Sequence, residues 1–286
     1  MAKQHSTGDL YQRTTDRVID ALEQGVAPWI KPWRGGSTQG LPTNLSTGQE
    51  YRGINVVSLW CAAFARGFEH DLWVTQAQEK GWQVRKGAKS ECIVKVGQVV
   101  KDADEGEKDE RTFSYLKSYH VFNVAEVEGA PLPASEPTTD HERIAAAEGL
   151  IAATGARVVE QGDRACYARS TDCIYLPALG RFTDAGAYYA IALHELTHWT
   201  GHDGRLERKF GKRFGDDAYA AEELVAEMGS AFLCGHLGIE GHLQHPAYVD
   251  HWLKVLKNDK RAIFTAAAKA SQAADYVRAF AGEVRQ

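Results

Sequence analysis

The sequence predicts an α+β protein of two domains, a small mixed α/β domain followed by a mainly helical domain with a small sheet. Three observations carry this expectation. The stretch Glu128–Asp140 holds three prolines among small polar residues, which is the composition of a linker. Before it, the chain is rich in Trp, Gly and β-branched residues once an opening helix has passed. After it, short apolar runs near 156–159, 164–168 and 172–176 give way to long helical periodicities. The expected units are residues 1–128, a linker at 129–140, and residues 141–286.

Residues 7–24 read as an amphipathic helix with Leu10, Val18, Ile19 and Leu22 on its apolar side. Pro28-Trp29-Ile30-Lys31-Pro32-Trp33-Arg34 and Pro42-Thr43-Asn44 follow, then Tyr51-Arg52-Gly53-Ile54-Asn55, and a helix is expected over 54–66. Strands are expected at Cys92–Val96 and Tyr119–Val124. Between them Asp102–Glu110 carries six acids and one lysine, marking an exposed hairpin tip or a disordered loop. Over residues 1–128, Lys and Arg number 16 against 17 Asp and Glu, so outside that acidic segment the domain is basic. Rings interleaved with cations suit single-stranded nucleic acid, because bases stack on the rings while the cations follow the phosphates. The candidates for such contacts are Trp29, Lys31, Trp33, Arg34, Tyr51, Arg52, Asn55, Arg85, Lys86 and Lys89. The competing explanation is that Trp and Arg pack a small core and that Arg85, Lys86 and Lys89 form a solvated turn.

In the second half Asp140 is placed to cap a helix over 141–154, and Ile174-Tyr175-Leu176 is a candidate strand for pairing with an extended peptide, or else an ordinary buried strand. The apolar run Tyr188–Leu193 leads into His194-Glu195-Leu196-Thr197-His198. Residues four apart on a helix share a face, so two neutral imidazoles there can hold one Zn²⁺, with Glu195 placed to take a proton from water. A third ligand is required. Glu223 and Glu227 form a carboxylate stripe beside the apolar stripe Leu224, Met228 and Ala231, and two such acids call for a partner inside a core. By similarity to His-His-Glu zinc enzymes, Glu223 is the ligand and Glu227 the support of a ligating His; the reverse order and Glu222 remain open. His202 competes, but on a continuous helix it lies about 12 Å from His194 along the axis. Trp252, Leu253, Val255 and Leu256 mark a core helix after Pro246, and 262–281 a packing helix.

Hydrophobic residues at 44% and charged residues at 25% of 286 describe a soluble globular chain, and no run is long enough to suggest a membrane span or a signal-peptide core. Five cysteines without close pairing argue against a disulfide framework, which points to a reducing, cytoplasmic setting.

Taken together these residues resemble the ArdC-type antirestriction proteins of conjugative plasmids and related mobile elements. The resemblance rests on Pro28-Trp29, Pro32-Trp33, Tyr51-Arg52-Gly53-Ile54-Asn55, Trp73-Val74-Thr75-Gln76 and Gly81-Trp82-Gln83-Val84-Arg85-Lys86-Gly87. In the second half it rests on Asp172–Pro177, the nine residues His194–His202, and Glu222-Glu223-Leu224-Val225-Ala226-Glu227. It implies a single-stranded-DNA-binding domain joined to a zincin-like metallopeptidase domain acting on DNA-associated proteins, and a role in shielding incoming DNA from restriction. The expected cofactor is Zn²⁺, with another divalent transition metal as the alternative. The expected partners are single-stranded DNA and a protein or peptide substrate, with no membrane. The competing function is a non-enzymatic coat for single strands in which the metal is structural.

Overall fold

The apolar positions of the opening segment fall on one side of a helix, and they are the ones that become buried: Leu10, Val18, Ile19 and Leu22 all enter the core from α1 (Thr7–Glu23). The computed structural model describes residues 7–29, 40–75, 81–101, 111–132, 140–209, 217–239 and 246–282. Helix α2 (Ile54–Arg66) ends at Gly67, whose left-handed φ of 65° lets its N–H turn back onto Ala63 and Phe64. Val56, Val57, Leu59, Trp60, Ala62 and Ala63 are buried around α2 because the helix is sandwiched, with a sheet on one side and helices on the other.

That sheet has the order β1 (Thr43–Asn44), β2 (Leu72–Val74), β5 (Arg111–Asn123), β4 (Glu91–Lys101). β1 runs parallel to β2, and the other pairings are antiparallel. β4 and β5 pair without a break from Glu91↔Val121 to Lys101↔Arg111, forming a ribbon longer than the two expected strands. The ladder supplies hydrogen bonds that local composition, interrupted by Lys95 and Gly97, does not advertise. The acidic stretch expected at its tip lies outside the described residues. β3 (Gln83–Val84) pairs with β6 (Val127–Glu128) as a small second sheet.

The second half begins with α3 (Asp140–Ala153), then β7 (Arg157–Glu160), β8 (Cys166–Ala168) and β9 (Cys173–Leu176). Their order is β7-β9-β8, with β9 parallel to β7 and antiparallel to β8. This corrects the expectation for Ile174-Tyr175-Leu176: β9 has both edges taken, so the open edges belong to β7 and β8. Helices α4 (Ala185–Thr200), α5 (Asp217–Leu237), α6 (Pro246–Asn258) and α7 (Ala262–Phe280) complete the half. None of the described helices is long and apolar enough to cross a membrane.

The two domains share one hydrophobic core. Val18 and Leu22 of α1 and Trp60 of α2 belong to the same cluster as Leu193, Leu196, Leu224, Phe232, Ile263 and Ala270 of the second half. Trp60 fits against Gly235 of α5, where an added Cβ would sit 3.1 Å from the indole Cζ2. Polar contacts fasten the same seam. Arg278 pairs with Glu50 at 2.8 Å, Arg52 pairs with Asp275, and the Gly53 N–H donates to Ser271 Oγ at 2.8 Å.

Candidate metal centre

Helix α4 starts where Asp184 accepts a hydrogen bond from the Ala187 N–H at 2.8 Å, which satisfies one of the open donors of the first turn. From Tyr189 onward it is almost wholly buried apart from Ile191, and its apolar residues Leu193 and Leu196 pack the core. One turn apart on this helix, the His194 and His198 rings stand 4.8 Å between centroids at 81°. Glu195, between them in sequence, is also buried.

Helix α5 brings the third donor. Glu223 Oε2 lies 3.5 Å from His194 Nε2, and Glu223 Oε1 lies 3.5 Å from His198 Nε2. Among the described residues, His194, His198 and Glu223 are the group whose donor atoms converge in this way, all within 4.8 Å of one another. A tetrahedral ion with bonds near 2.1 Å spaces its ligands by about 3.4 Å, so this donor set fits a small divalent metal. The carboxylate is ionised for the task. Burial would raise the Glu223 carboxyl, but the two imidazoles hold it well below the usual range.

The support of His198 comes from a residue ranked low on sequence grounds. Glu222 Oε1 lies 3.2 Å from His198 Nδ1, and Arg208 in turn grips Glu222 through Nε at 3.0 Å and Nη2 at 2.9 Å. Arg208 is buried and also donates to Thr200 Oγ1 at 2.7 Å and to the Thr197 carbonyl at 2.5 Å. It reaches this position because the chain folds back after α4, with the Arg208 N–H bonded to the Gly201 carbonyl at 3.0 Å. Burial would raise the Glu222 carboxyl, but His198 and Arg208 hold it down. An ionised Glu222 only accepts, so His198 keeps a proton on Nδ1, and it is Nε2 that a neutral His198 would offer to a metal. The expectation that Glu227 fills this role is therefore corrected for His198; Glu227 lies buried one turn further along α5.

Two polar side chains that follow α4, Arg205 and His202, are engaged elsewhere. Arg205 pairs with Asp172, donates to the Trp199 carbonyl at 2.6 Å and lies 3.9 Å over the Trp199 ring. His202 Nδ1 accepts from the Gly204 N–H at 3.2 Å and is absent from the converging donor set. Tyr219 sits at the site. Its hydroxyl lies 3.2 Å from the Tyr248 hydroxyl and feels the charge of Glu223. Burial and these neighbours push the Tyr219 phenol up, so it remains protonated and able to donate. Tyr248, which sequence reasoning passed over, feels the charges of Glu223, Glu195 and Glu227. The edge strand β8 packs beside α4.

Residues 8–122 match the family described as the N-terminal domain of anti-restriction factor ArdC, and residues 145–269 match a family of zincin-like metallopeptidases. The fold closely follows the crystal structure of the antirestriction ArdC protein from plasmid R388 in its metal-free form. The TM-score is 0.82 at 41% identity, over 97% of this chain and 100% of that one. The chain belongs to the ArdC antirestriction family. The R388 ArdC protein in its Mn(II)-bound form aligns with a TM-score of 0.78 at 39% identity, over 96% of this chain and 99% of that one. Protein y4eC of Sinorhizobium fredii, itself uncharacterised, is 39% identical over 282 residues, 95% of this chain and 92% of its own. DNA primase TraC of Escherichia coli is 39% identical over 296 residues, which span 94% of this chain but 27% of the primase.

Within the ArdC N-terminal domain, several residues expected to meet DNA are occupied structurally. Trp29 is only 1% exposed and packs edge-on to Trp252 of α6 at 5.4 Å, so it is a core residue and offers no stacking face. Asn55 holds β4 with both ends of its amide, donating to the Val94 carbonyl and accepting from the Val94 N–H, each at 2.8 Å. Tyr51 is half-buried between the core clusters, and Arg52 pairs with Asp275. Lys86 and Lys89 are exposed, and Arg85 lies 3.7 Å from Glu128. Lys31, Trp33 and Arg34 lie outside the described residues. Composition reveals aromatic and basic residues but not which of them the core consumes.

Proposed function

We propose that this chain binds single-stranded DNA through its N-terminal half and hydrolyses peptide bonds of DNA-associated proteins at the His194–His198–Glu223 centre, in the service of antirestriction. The observation that carries the enzymatic part is the convergence of three buried protein donors beside a buried Glu195 that is not one of them. A structural zinc site is usually closed by a fourth protein ligand, whereas catalysis needs an open position.

Zn²⁺ suits two imidazoles and a carboxylate, and it would lower the pKa of a water and polarise the scissile carbonyl. The chain's own residues do the rest. Glu195 accepts the proton of the attacking water and delivers it to the leaving amine. Arg208 and Glu222 fix His198 in the Nδ1–H tautomer and keep its Nε2 aimed at the centre. Tyr219, joined by Tyr248, offers a phenolic proton to the oxyanion. An extended substrate adds to the free edge of β8, the strand packed beside α4.

The test is cleavage of added protein, and of the chain itself, with Zn²⁺ and with or without single-stranded DNA. Glu195→Gln should keep the metal and lose cleavage. Equal cleavage by wild type and Glu195→Gln would remove Glu195 as the base. No cleavage by either, with DNA still bound, would favour the non-enzymatic coat with a structural metal.

A further inference from the structure

The β4–β5 ribbon has two faces of different chemistry. Residues opposite each other in an antiparallel ladder share a face, and the face changes at every step. In β5 the alternate positions Lys117, Tyr119 and Val121 therefore lie on one face. The register sets Lys95 opposite Lys117 on that same face. Among the described residues, the other face, from Cys92 to Val96 and from Leu116 to His120, carries no Lys, Arg, Phe, Tyr or Trp. Among the described side chains of the paired ribbon, the lysines and the tyrosine, Lys95, Lys117 and Tyr119, are on one side.

The inner end of that face is core, where Ile93 and Val121 pack with Leu59 and Ala62 of α2. Further out, Lys95, Lys117 and Tyr119 are exposed, and the Lys117 ammonium lies 5.3 Å from the centre of the Tyr119 ring. Lys95 and Lys117 face each other directly, an arrangement that destabilises a ladder unless an anion lies between them. A ring for a base and an ammonium for its phosphate thus stand within one nucleotide's reach.

We infer that the face of the β4–β5 ribbon bearing Lys95, Lys117 and Tyr119 is where single-stranded DNA lies. The inference rests on the reading that the N-terminal half binds such DNA, and it moves the contact away from Trp29 and Asn55. The phosphates neutralise the facing lysines, and the Tyr119 ring accepts an unpaired base, which a duplex does not offer.

Full-length protein would be titrated into a labelled oligothymidylate single strand, with fluorescence anisotropy as the readout. Lys95→Glu, Lys117→Glu, their double variant and Tyr119→Ala would be compared with Lys269→Glu, an exposed position on α7. The double variant should bind at least tenfold more weakly, with a salt slope shallower by about 0.7 for each lysine. Tyr119→Ala should lose roughly tenfold. Lys95→Glu should melt no earlier than wild type, because it replaces a repulsive pair with an attractive one, while still binding DNA more weakly. Ribbon variants that bind within twofold of a binding wild type overturn the ribbon assignment alone, as does an equal loss in Lys269→Glu. Equal or better binding to a duplex overturns the single-strand assignment. A wild type that binds no single strand overturns both the reading and the inference.

Discussion

Gly229 of α5 lies directly against Thr197 of α4, so close that an added Cβ would stand 2.5 Å from Thr197 Cγ2 and 2.8 Å from its Oγ1. Thr197 sits inside the His194–His198 segment. The spacing of the two helices that hold the donors is therefore set by a missing side chain. Gly229→Ala should push α5 outward, costing about 1–3 kcal/mol in thermal melts of metal-free protein. It should also weaken metal binding in calorimetric titration, although no donor is touched.

Arg208 and Glu222 form an ion pair with both side chains at most 5% exposed, and it ends on His198. Arg208→Met leaves Glu222 buried without its main partner and should cost about 3–5 kcal/mol in chemical denaturation. Glu222→Gln should be milder for folding and weaken metal affinity by about 10–100-fold, read by competition with a chelator.

The centre also sets a pH window for the metal-free protein. Burial would push the His198 imidazole down from its ordinary 6.5, but Glu222 and Glu223 outweigh burial and hold it up to about 10. A raised folded value stabilises fully below 6.5 and is lost as pH climbs toward 10. Glu222 and Glu223 are depressed below their ordinary 4.5, so their contribution is present above 4.5 and is lost as pH falls. These groups place maximal metal-free stability between those limits, which melts across pH would show. A metal needs the neutral imidazole, so apparent affinity should rise by about tenfold per pH unit while His198 is protonated.

Trp29 separates packing from recognition. Trp29→Ala should cost about 3–5 kcal/mol of stability by opening a cavity beside Trp252. DNA affinity measured on the folded fraction should stay near wild type.

Local periodicity made much of this legible. The 3.6-residue repeat alone joins His194 to His198, and the acid stripe on the next helix leads to Glu223. Glu222 and Arg208 escaped because their meeting depends on the loop after Gly201 turning back under α4, a non-local event. One signal was available: an adjacent Glu222-Glu223 pair in an apolar helix needs a cation for each member. The central place of β9 escaped for a similar reason, since pairing with β7 across an intervening strand leaves no trace within its four residues. The ribbon was underestimated because Lys95 and Gly97 interrupt the apolar pattern that marks a buried strand.

The shared core also has a consequence for how the chain comes into being. Glu50, Arg52 and Gly53 are fastened to Arg278, Asp275 and Ser271 of α7, the last helix described. During synthesis those early residues leave the ribosome long before their anchors exist. The seam between the halves, and with it the wall behind α5, closes only when α7 arrives. From the moment His194 and His198 are made until α7 follows, a nascent chain therefore carries its histidines without the finished scaffold that gathers them.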